Sequence, residues 1–281
     1  MKTILIPTDF SDVSTHAAKY GAAFCDEIGI TKIILYNSYK VLHPEMVMIA
    51  DVLIPKQPNI ENTKKESIQR LIELKGLLKP FLSKEVVVEY LADEQPFIEA
   101  INEICIQEHV DLVVMGISGV GNKGRNVIGN HTFKALKESN RSLLIVPLQA
   151  DYQKTDRLMF ACDIRSTKAS LPIKQLKQIM AASSSKLRIV NVVQGVDNKA
   201  ESLEGENLQL QELLADERTE YHQIIHSSPV KAILELSEKH QIDLLIAAPR
   251  KKGILEAFFH KSVTENLAVS THIPLLILKE N

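Results

Sequence analysis

The chain contains an internal repeat, and this repeat constrains the fold more than any other feature of the sequence. The segment AINEICIQEHVDLVVMG (residues 100–116) aligns with AILELSEKHQIDLLIAA (232–248) at a constant offset of 132 residues. The same offset places SLLIV (142–146) opposite PLLIL (274–278) without a gap. A duplicated pattern of this length predicts two copies of one fold.

The beginnings of the two halves also match, but at a different offset. ILIPTDFS (4–11) resembles LMFACDIR (158–165), with Asp9 opposite Asp163 at an offset of 154 residues. The first half therefore contains about 22 additional residues, which we assign to the proline-rich segment 41–62.

These matches predict two related domains, residues 1–148 and 155–281, joined by the polar stretch QADYQKTD. In each half, short apolar runs rich in β-branched residues alternate with amphipathic segments, as in parallel strands that alternate with helices. We therefore predict an α/β fold of two tandem, open, five-stranded, mostly parallel sheets flanked by helices, of the Rossmann-like kind.

Strands of the first half are predicted at KTILIPT, KIILYNS, EVVVEYL, DLVVMG and SLLIVP. The helices are predicted after a cap at Ser11 or Asp12, along Ile68, Leu71, Ile72 and Leu78, from Pro96 with Ile98, Ile101, Ile104 and Cys105 on one face, and near 132–139. Ligands of such sheets lie beyond the carboxyl ends of the strands, where Asp9, Ser38 and Gly116 are expected to share one rim.

A glycine-rich loop, GISGVGNKGRNVIGNHT (116–132), follows the fourth strand. From Gly119 it spells G-x-G-x-x-G, but a dinucleotide fingerprint opens the first βαβ unit and needs an acid at the end of the next strand, which here reads IVPLQ. A P-loop is excluded because Lys123 is not followed by Ser or Thr. A loop without a ligand stays open as an alternative.

The remaining pattern is Gly116, two residues, Gly119, nine residues, Gly129 and then Asn130. It resembles the universal stress proteins, whose nucleotide-binding members carry G-x2-G-x9-G-S/T after the fourth strand and an aspartate after the first, here Asp9. The resemblance covers nearly the whole chain as two copies, as in tandem proteins of this family. Asn130 departs from the family's Ser or Thr, although its amide can still meet a phosphate or cap a helix.

The resemblance implies an adenine nucleotide alpha hydrolase-like fold that binds ATP or a related adenine nucleotide, with any Mg²⁺ carried on the phosphates. The residues that it implies for the site are Pro7, Thr8, Asp9, Ser38, Met115, Gly116, Ser118, Gly119, Gly129, Asn130, His131 and Thr132. Glycines let the backbone approach a ligand closely, and free N–H groups at a helix start attract phosphate. Asp9 would accept hydrogen bonds from base or ribose, or cap the first helix; both roles stay open.

The second half lacks the motif, because the constant offset places Ala248, Lys251 and Lys261 opposite the three glycines. Their side chains would crowd the path of a phosphate. We therefore expect the first domain alone to hold nucleotide and the second to be degenerate. Anion binding through the lysines of the second half stays open as an alternative.

The sequence shows no Ser-His-Asp order, paired acids or metal-ligand spacing, so the family resemblance favours a regulator or sensor of the stress response. The alternatives are a slow ATPase that uses the same pocket and a non-catalytic interaction scaffold. The resemblance also implies pairing of the last strands of the two halves as an internal pseudo-dimer, and leaves a homodimer of whole chains open. The protein partners are unknown.

A net charge of −2 gives no reason to expect nucleic acid or an anionic membrane as a partner. No apolar run approaches the length of a membrane span. Cys25, Cys105 and Cys162 lie far apart in apolar segments and are expected to be buried free thiols. These features predict a cytoplasmic protein.

Overall fold

The computed structural model describes residues 1–39, 45–49, 52–56, 60–83, 85–117, 130–162, 172–182, 185–193, 218–248 and 271–279. The elements of the first half are β1 (Thr3–Pro7), α1 (Asp12–Ile28), β2 (Lys32–Ser38), β3 (Glu45–Ile49), β4 (Val52–Lys56), α2 (Ile60–Leu78), a 3₁₀ turn (Lys79–Phe81), β5 (Val87–Asp93), α3 (Phe97–Gln107), β6 (Leu112–Ile117), α4 (Asn130–Glu138) and β7 (Ser142–Pro147). Those of the second half are β8 (Arg157–Ala161), α5 (Ile173–Ala182), β9 (Lys186–Val193), β10 (Thr219–Ile225), α6 (Pro229–Lys239), β11 (Leu244–Ala247) and β12 (Leu275–Ile277).

Both halves contribute to one continuous sheet of ten strands, in the order β10-β9-β8-β11-β12-β7-β6-β1-β2-β5. Within each half every neighbouring pair of this ten-stranded sheet is parallel, and the two halves have the same strand order. The predicted α/β class with a mostly parallel sheet is confirmed. The structure differs from the prediction in that the two five-stranded sheets are fused edge to edge.

The junction between the halves is the antiparallel pair of β7 and β12, which is the predicted pairing of the last strands. Leu144 lies opposite Leu276, its own counterpart in the repeat. The pair on one side of these two residues is the repeat equivalent of the pair on the other side. This register is that of a local two-fold axis through the Leu144–Leu276 pair. The fused sheet therefore leaves neither β7 nor β12 as an exposed edge.

The strands around the site are buried on both faces, as parallel strands covered by helices must be. Ile4, Leu5 and Ile6 of β1 have almost no exposed surface, and β7 is buried along its whole length. Helix α1 packs closely on this sheet because it presents small residues to it. The approach is so close that a Cβ added at Gly21 would lie only 3.1 Å from the side chain of Val114. This close packing brings the first turn of α1 against the end of β6.

The helix predictions hold in most details. Ser11 caps α1 by accepting a hydrogen bond from Ser14 N at 3.3 Å, and α3 buries the predicted face of Ile98, Ile101, Ile104 and Cys105. In α2 the predicted stripe is partly wrong, because Ile72 is 42% exposed. The buried residues of α2 are Ser67, Leu71, Leu74 and Leu78.

The segment assigned as an insertion contains the hairpin of β3 and β4, which forms a separate two-stranded antiparallel sheet. The sequence pattern did not predict this hairpin. Residues 41–44, 50–51 and 57–59 of the segment lie outside the described residues.

The three cysteines are free and buried, as predicted. Burial raises the pKa of the Cys25 and Cys105 thiols to about 12, which keeps both protonated at neutral pH. Among the described residues, no helix combines the length and the apolar composition that crossing a membrane would require.

Candidate functional site

A cavity of about 380 Å³ lies at the carboxyl ends of β1, β2 and β6. The strand order reverses between β1 and β6, because the chain runs from β1 to β2 and β5 on one side and places β6 and β7 on the other. Open α/β sheets bind their ligands at such a switch point. The cavity also falls within the volume range of small-molecule sites.

Eight of the predicted site residues line this cavity: Pro7, Thr8, Asp9, Ser38, Met115, Gly116, His131 and Thr132. Asn130 is the first residue of α4, and its side chain is outside the described part of the structure. Ser118, Gly119 and Gly129 lie outside the described residues altogether. The shared rim expected for Asp9, Ser38 and Gly116 is therefore observed.

Sequence reasoning missed several lining residues, namely Ser11, Val13, Ser14, Asn37, Tyr39, Glu94, Gln95, Pro96 and Phe97. Those of the segment 94–97 follow β5, which lies beside β2 at the edge of the sheet. A prediction of strand order would have placed this segment on the rim. The periodicity of the sequence carries no information about that order.

The turn between β1 and α1 is fixed by its own hydroxyl groups. Thr8 Oγ1 accepts a hydrogen bond from Phe10 N at 2.9 Å and contacts Ser14 Oγ at 3.0 Å. Phe10 has a φ of 62°, a left-handed conformation that is uncommon outside glycine. The Arg70 guanidinium lies 4.1 Å from the centroid of the Phe10 ring. These contacts hold the turn in a conformation that the backbone alone would not favour.

Asp9 lies within this turn, and its side chain is exposed. Its Oδ1 accepts hydrogen bonds from the backbone N of Ser11 at 3.0 Å and from Ser11 Oγ at 2.6 Å. Burial raises the pKa of the Asp9 carboxyl, while these hydrogen bonds lower it, and the net pKa lies below its ordinary value. Asp9 is therefore a carboxylate acceptor at neutral pH. The alternative role of helix cap is wrong, because Ser11 caps α1.

The wall formed by β2 is also fixed by hydrogen bonds. The Asn37 amide donates to Thr8 O and accepts from Ser67 Oγ, both at 2.7 Å. Ser38 Oγ donates to the carbonyl oxygen of Gln95 at 2.7 Å, so its proton is already engaged. The hydroxyl of Ser38 therefore presents only its acceptor lone pairs to the cavity.

Gly116 is required by the packing of the protein itself. A Cβ at this position would lie 2.5 Å from Val13 O and 2.8 Å from Val13 Cγ1, closer than real Cβ contacts allow. The sequence attributed this glycine to the approach of a ligand, whereas the structure shows a close approach of α1. The carbonyl of Gly116 also accepts a hydrogen bond from Thr132 Oγ1 at 3.0 Å, which ties the start of α4 to β6.

Three helices, α1, α3 and α4, begin with residues that line the cavity or adjoin its lining. The first turns of α1 and α3 contain acids, Asp12 and Glu99, whereas the first turn of α4 contains none. The positive end of a helix dipole attracts anions, and an acid in the first turn partly neutralises it. The N-terminus of α4 is therefore the most suitable end for an anionic ligand.

The apolar part of the lining lies beside α4. The rings of Phe97 and His131 meet edge to face with their centroids 4.5 Å apart. Pro96 and Met115 add further apolar surface to the lining. Among the described residues, no group of three or more His, Cys, Asp or Glu side chains is arranged to hold a metal ion.

Fold and site together define a duplicated, doubly wound α/β protein with a cavity at the switch point of its first half. The model of the universal stress protein family matches residues 1–147 and again residues 155–279. The chain belongs to the universal stress protein family, as a tandem member with two copies of the family domain.

Individual relatives are distant. Universal stress protein MJ0577 of Methanocaldococcus jannaschii is 27% identical over 161 residues, which cover 52% of this chain and 94% of that protein. A universal stress protein from Archaeoglobus fulgidus is 18% identical, with a TM-score of 0.73 over 99% of this chain and 98% of that chain. A universal stress protein solved in complex with cAMP is 22% identical, with a TM-score of 0.35 over 45% of this chain and 98% of that chain.

Proposed function

We propose that this chain binds ATP or a related adenine nucleotide in the cavity of its first half, and that it acts as a regulator or sensor of the stress response. The observation that carries the proposal is the cavity itself. It lies at the switch point of a universal stress protein domain, next to a helix N-terminus that has no acid in its first turn.

The two ends of a nucleotide suit different parts of the lining. The N–H groups of the first turn of α4 would receive the phosphates. The motif residues Gly119 and Gly129, which lie outside the described residues, carry no Cβ that would keep a phosphate away. The ionised Asp9 has only acceptors and therefore suits the hydroxyl or amino donors of ribose or base. Phe97 and Met115 offer apolar surface to a base. We propose that any Mg²⁺ rides on the phosphates.

The proposal assigns nucleotide to the first of two domains, residues 1–148 and 155–281. Ala248, Lys251 and Lys261 replace the three motif glycines in the second domain. Ala248 comes directly after β11, and its counterpart Gly116 is the second-last residue of β6, so the position at the end of the strand is kept while the glycine is lost. We propose that the second domain binds no nucleotide and acts as a structural partner of the first.

The role that we propose is binding rather than rapid turnover, in the cytoplasm and through protein partners. The turn that carries Asp9 uses its hydroxyl groups to hold its own backbone, which favours a fixed acceptor over a mobile base. A single-turnover assay with bound ATP separates the classes. Retention of the triphosphate over hours supports a sensor, and release of phosphate within minutes supports a slow ATPase.

Titration calorimetry with ATP tests the binding site. The wild-type chain should bind about one ATP, and Asp9→Ala should weaken binding. Gly119→Lys, which copies the residue at position 251, should abolish it. Asp163→Ala changes the matching aspartate of the second half and should leave the affinity unchanged. Two sites per chain, or an effect of Asp163→Ala equal to that of Asp9→Ala, would refute the assignment to the first half.

A further inference from the structure

Lys279, which follows β12, reaches across the junction into the first half. Its Nζ donates hydrogen bonds to the carbonyl oxygens of Leu136 at 3.0 Å and Ser139 at 2.5 Å, at the C-terminal end of α4. Its backbone N donates to Ser142 Oγ at 3.1 Å, and Gln175 of α5 donates to its carbonyl oxygen at 3.3 Å. Lys279 is therefore fixed at both its backbone and its ammonium group.

The ammonium lies where α4 most needs a cation. The last carbonyl groups of a helix have no partner within the helix, and they form the negative end of its dipole. Helix α4 contains nine residues, whereas an isolated helix shorter than about 12–15 residues is marginal in water. The order of α4 therefore depends on its tertiary contacts, and Lys279 supplies the contact at its C-terminal end.

The second half makes this contact to the first half, and at the equivalent position the first half has no residue that could make the same contact to the second. The repeat offset of 132 places Pro147 at the counterpart of Lys279, and Pro274 at the counterpart of Ser142. Proline has neither an amino group on its side chain nor a backbone N–H. Pro147 therefore cannot form the hydrogen bonds that Lys279 forms. This asymmetry parallels that of the glycine motif, which is also confined to the first half.

The opposite end of α4 forms part of the cavity, through His131 and Thr132. We propose that Lys279 is a positioning residue for the nucleotide site: by holding the C-terminal end of α4 it orders the N-terminal turn that receives the phosphates, so that the second half completes the site of the first. This inference rests on the proposed function. It gives the second domain, which lacks the glycine motif, the role of ordering the nucleotide site of the first.

The charge of Lys279 also makes the contact dependent on pH. Burial lowers the pKa of the Lys279 ammonium to about 8. The other titratable or charged groups on the elements around it are His131, Lys134, Lys137 and Glu138 of α4, Arg141 before β7, and Lys174 and Lys177 of α5. A folded pKa near 8 means that the cation is present at pH 7 and is lost as the pH rises towards 9.

The test measures the Kd for ATP of full-length wild type, Lys279→Met, Lys279→Arg and Lys177→Met at pH 7.2 and at pH 9. Lys177 is exposed on α5, so Lys177→Met removes the same charge without the contact. At pH 7.2, Lys279→Met should raise Kd roughly three- to tenfold, since both a charge-assisted contact and a cation at the helix end are lost. Lys279→Arg and Lys177→Met should stay close to wild type.

Between pH 7.2 and 9 the Kd of the wild type and of Lys177→Met should rise about two- to fivefold, as the ammonium loses its proton. The Kd of Lys279→Arg should change less, because a guanidinium keeps its charge throughout this range. A merely structural role would not produce this difference, and the comparison stands even if Lys279→Met fails to fold.

Three outcomes are decisive. If wild type binds ATP and Lys279→Met has the same Kd as wild type at both pH values, this inference alone is overturned. Equal pH dependence of wild type and Lys279→Arg also overturns it. A wild type that binds no ATP under any of these conditions refutes the proposed function, and this inference with it.

Discussion

Gly116→Ala tests whether the geometry around the cavity is as tight as the structure shows. The new methyl group would lie 2.5 Å from Val13 O and 3.0 Å from Val13 C, which are backbone atoms and cannot rotate away. The first turn of α1 must therefore retreat by about half an ångström, in an interior packed as densely as a crystal. The turn that carries Asp9 precedes α1 directly and must move with it.

The cost follows from two opposing effects. Overpacking in a dense core costs about 1–3 kcal/mol, and the lower chain entropy of alanine in the unfolded state offsets about 0.4–1 kcal/mol of that. We expect a net loss of roughly 1–2 kcal/mol in the free energy of unfolding. Affinity for ATP should fall as well, because the lining of the cavity is displaced.

Urea unfolding followed by far-UV circular dichroism measures the effect, since the chain contains no tryptophan. Gly76→Ala is the matched control, because a Cβ at Gly76 in α2 meets nothing within 4 Å. It should raise the urea midpoint, as alanine favours a helix over glycine by about 1 kcal/mol. A Gly116→Ala protein as stable as wild type and with the same affinity for ATP would refute the reasoning about this contact.

Three further substitutions have expected outcomes. Thr132→Val removes the hydrogen bond to Gly116 O, so calorimetry should show weaker ATP binding and urea unfolding a loss of about 1 kcal/mol. Gly29→Ala forces alanine into a φ of 69° at the end of α1, and should cost about 1–2 kcal/mol in the same unfolding assay. Asp9→Asn should lower the urea midpoint at pH 7. Because the pKa of the Asp9 carboxyl in the folded state lies below its ordinary value, its contribution to stability is complete above that ordinary value and is lost as the pH falls through the folded pKa, so wild type and variant should converge in acid.

The fold could be predicted from the sequence to the level of its elements. The repeat and the buried apolar runs predicted the duplicated α/β chain, and the five main strands of the first half lie where the pattern placed them. Strand order and the fusion of the two sheets depend on packing between distant segments, which local periodicity does not encode. The hairpin of β3 and β4 was missed for the same reason, since it pairs outside the main sheet.

From the sequence, the site could be predicted only for residues that lie at the carboxyl ends of strands or in the glycine motif. Asp9, Ser38 and Gly116 were placed together because carboxyl ends of parallel strands meet. Phe97 and its neighbours were missed because their position depends on β5 lying beside β2. The role of Gly116 against Val13 could not be foreseen either, since a spacing motif does not distinguish space for a ligand from space for a helix.

We propose that one half of this duplicated chain holds nucleotide and that the other half does not. Native mass spectrometry of the purified chain with saturating ATP tests it most directly, because it counts the ligands bound to each molecule. We expect a single bound ATP per chain in wild type and in Asp163→Ala, and no bound ATP in Gly119→Lys. Two ATP molecules per chain, or a single one that survives Gly119→Lys, would contradict it.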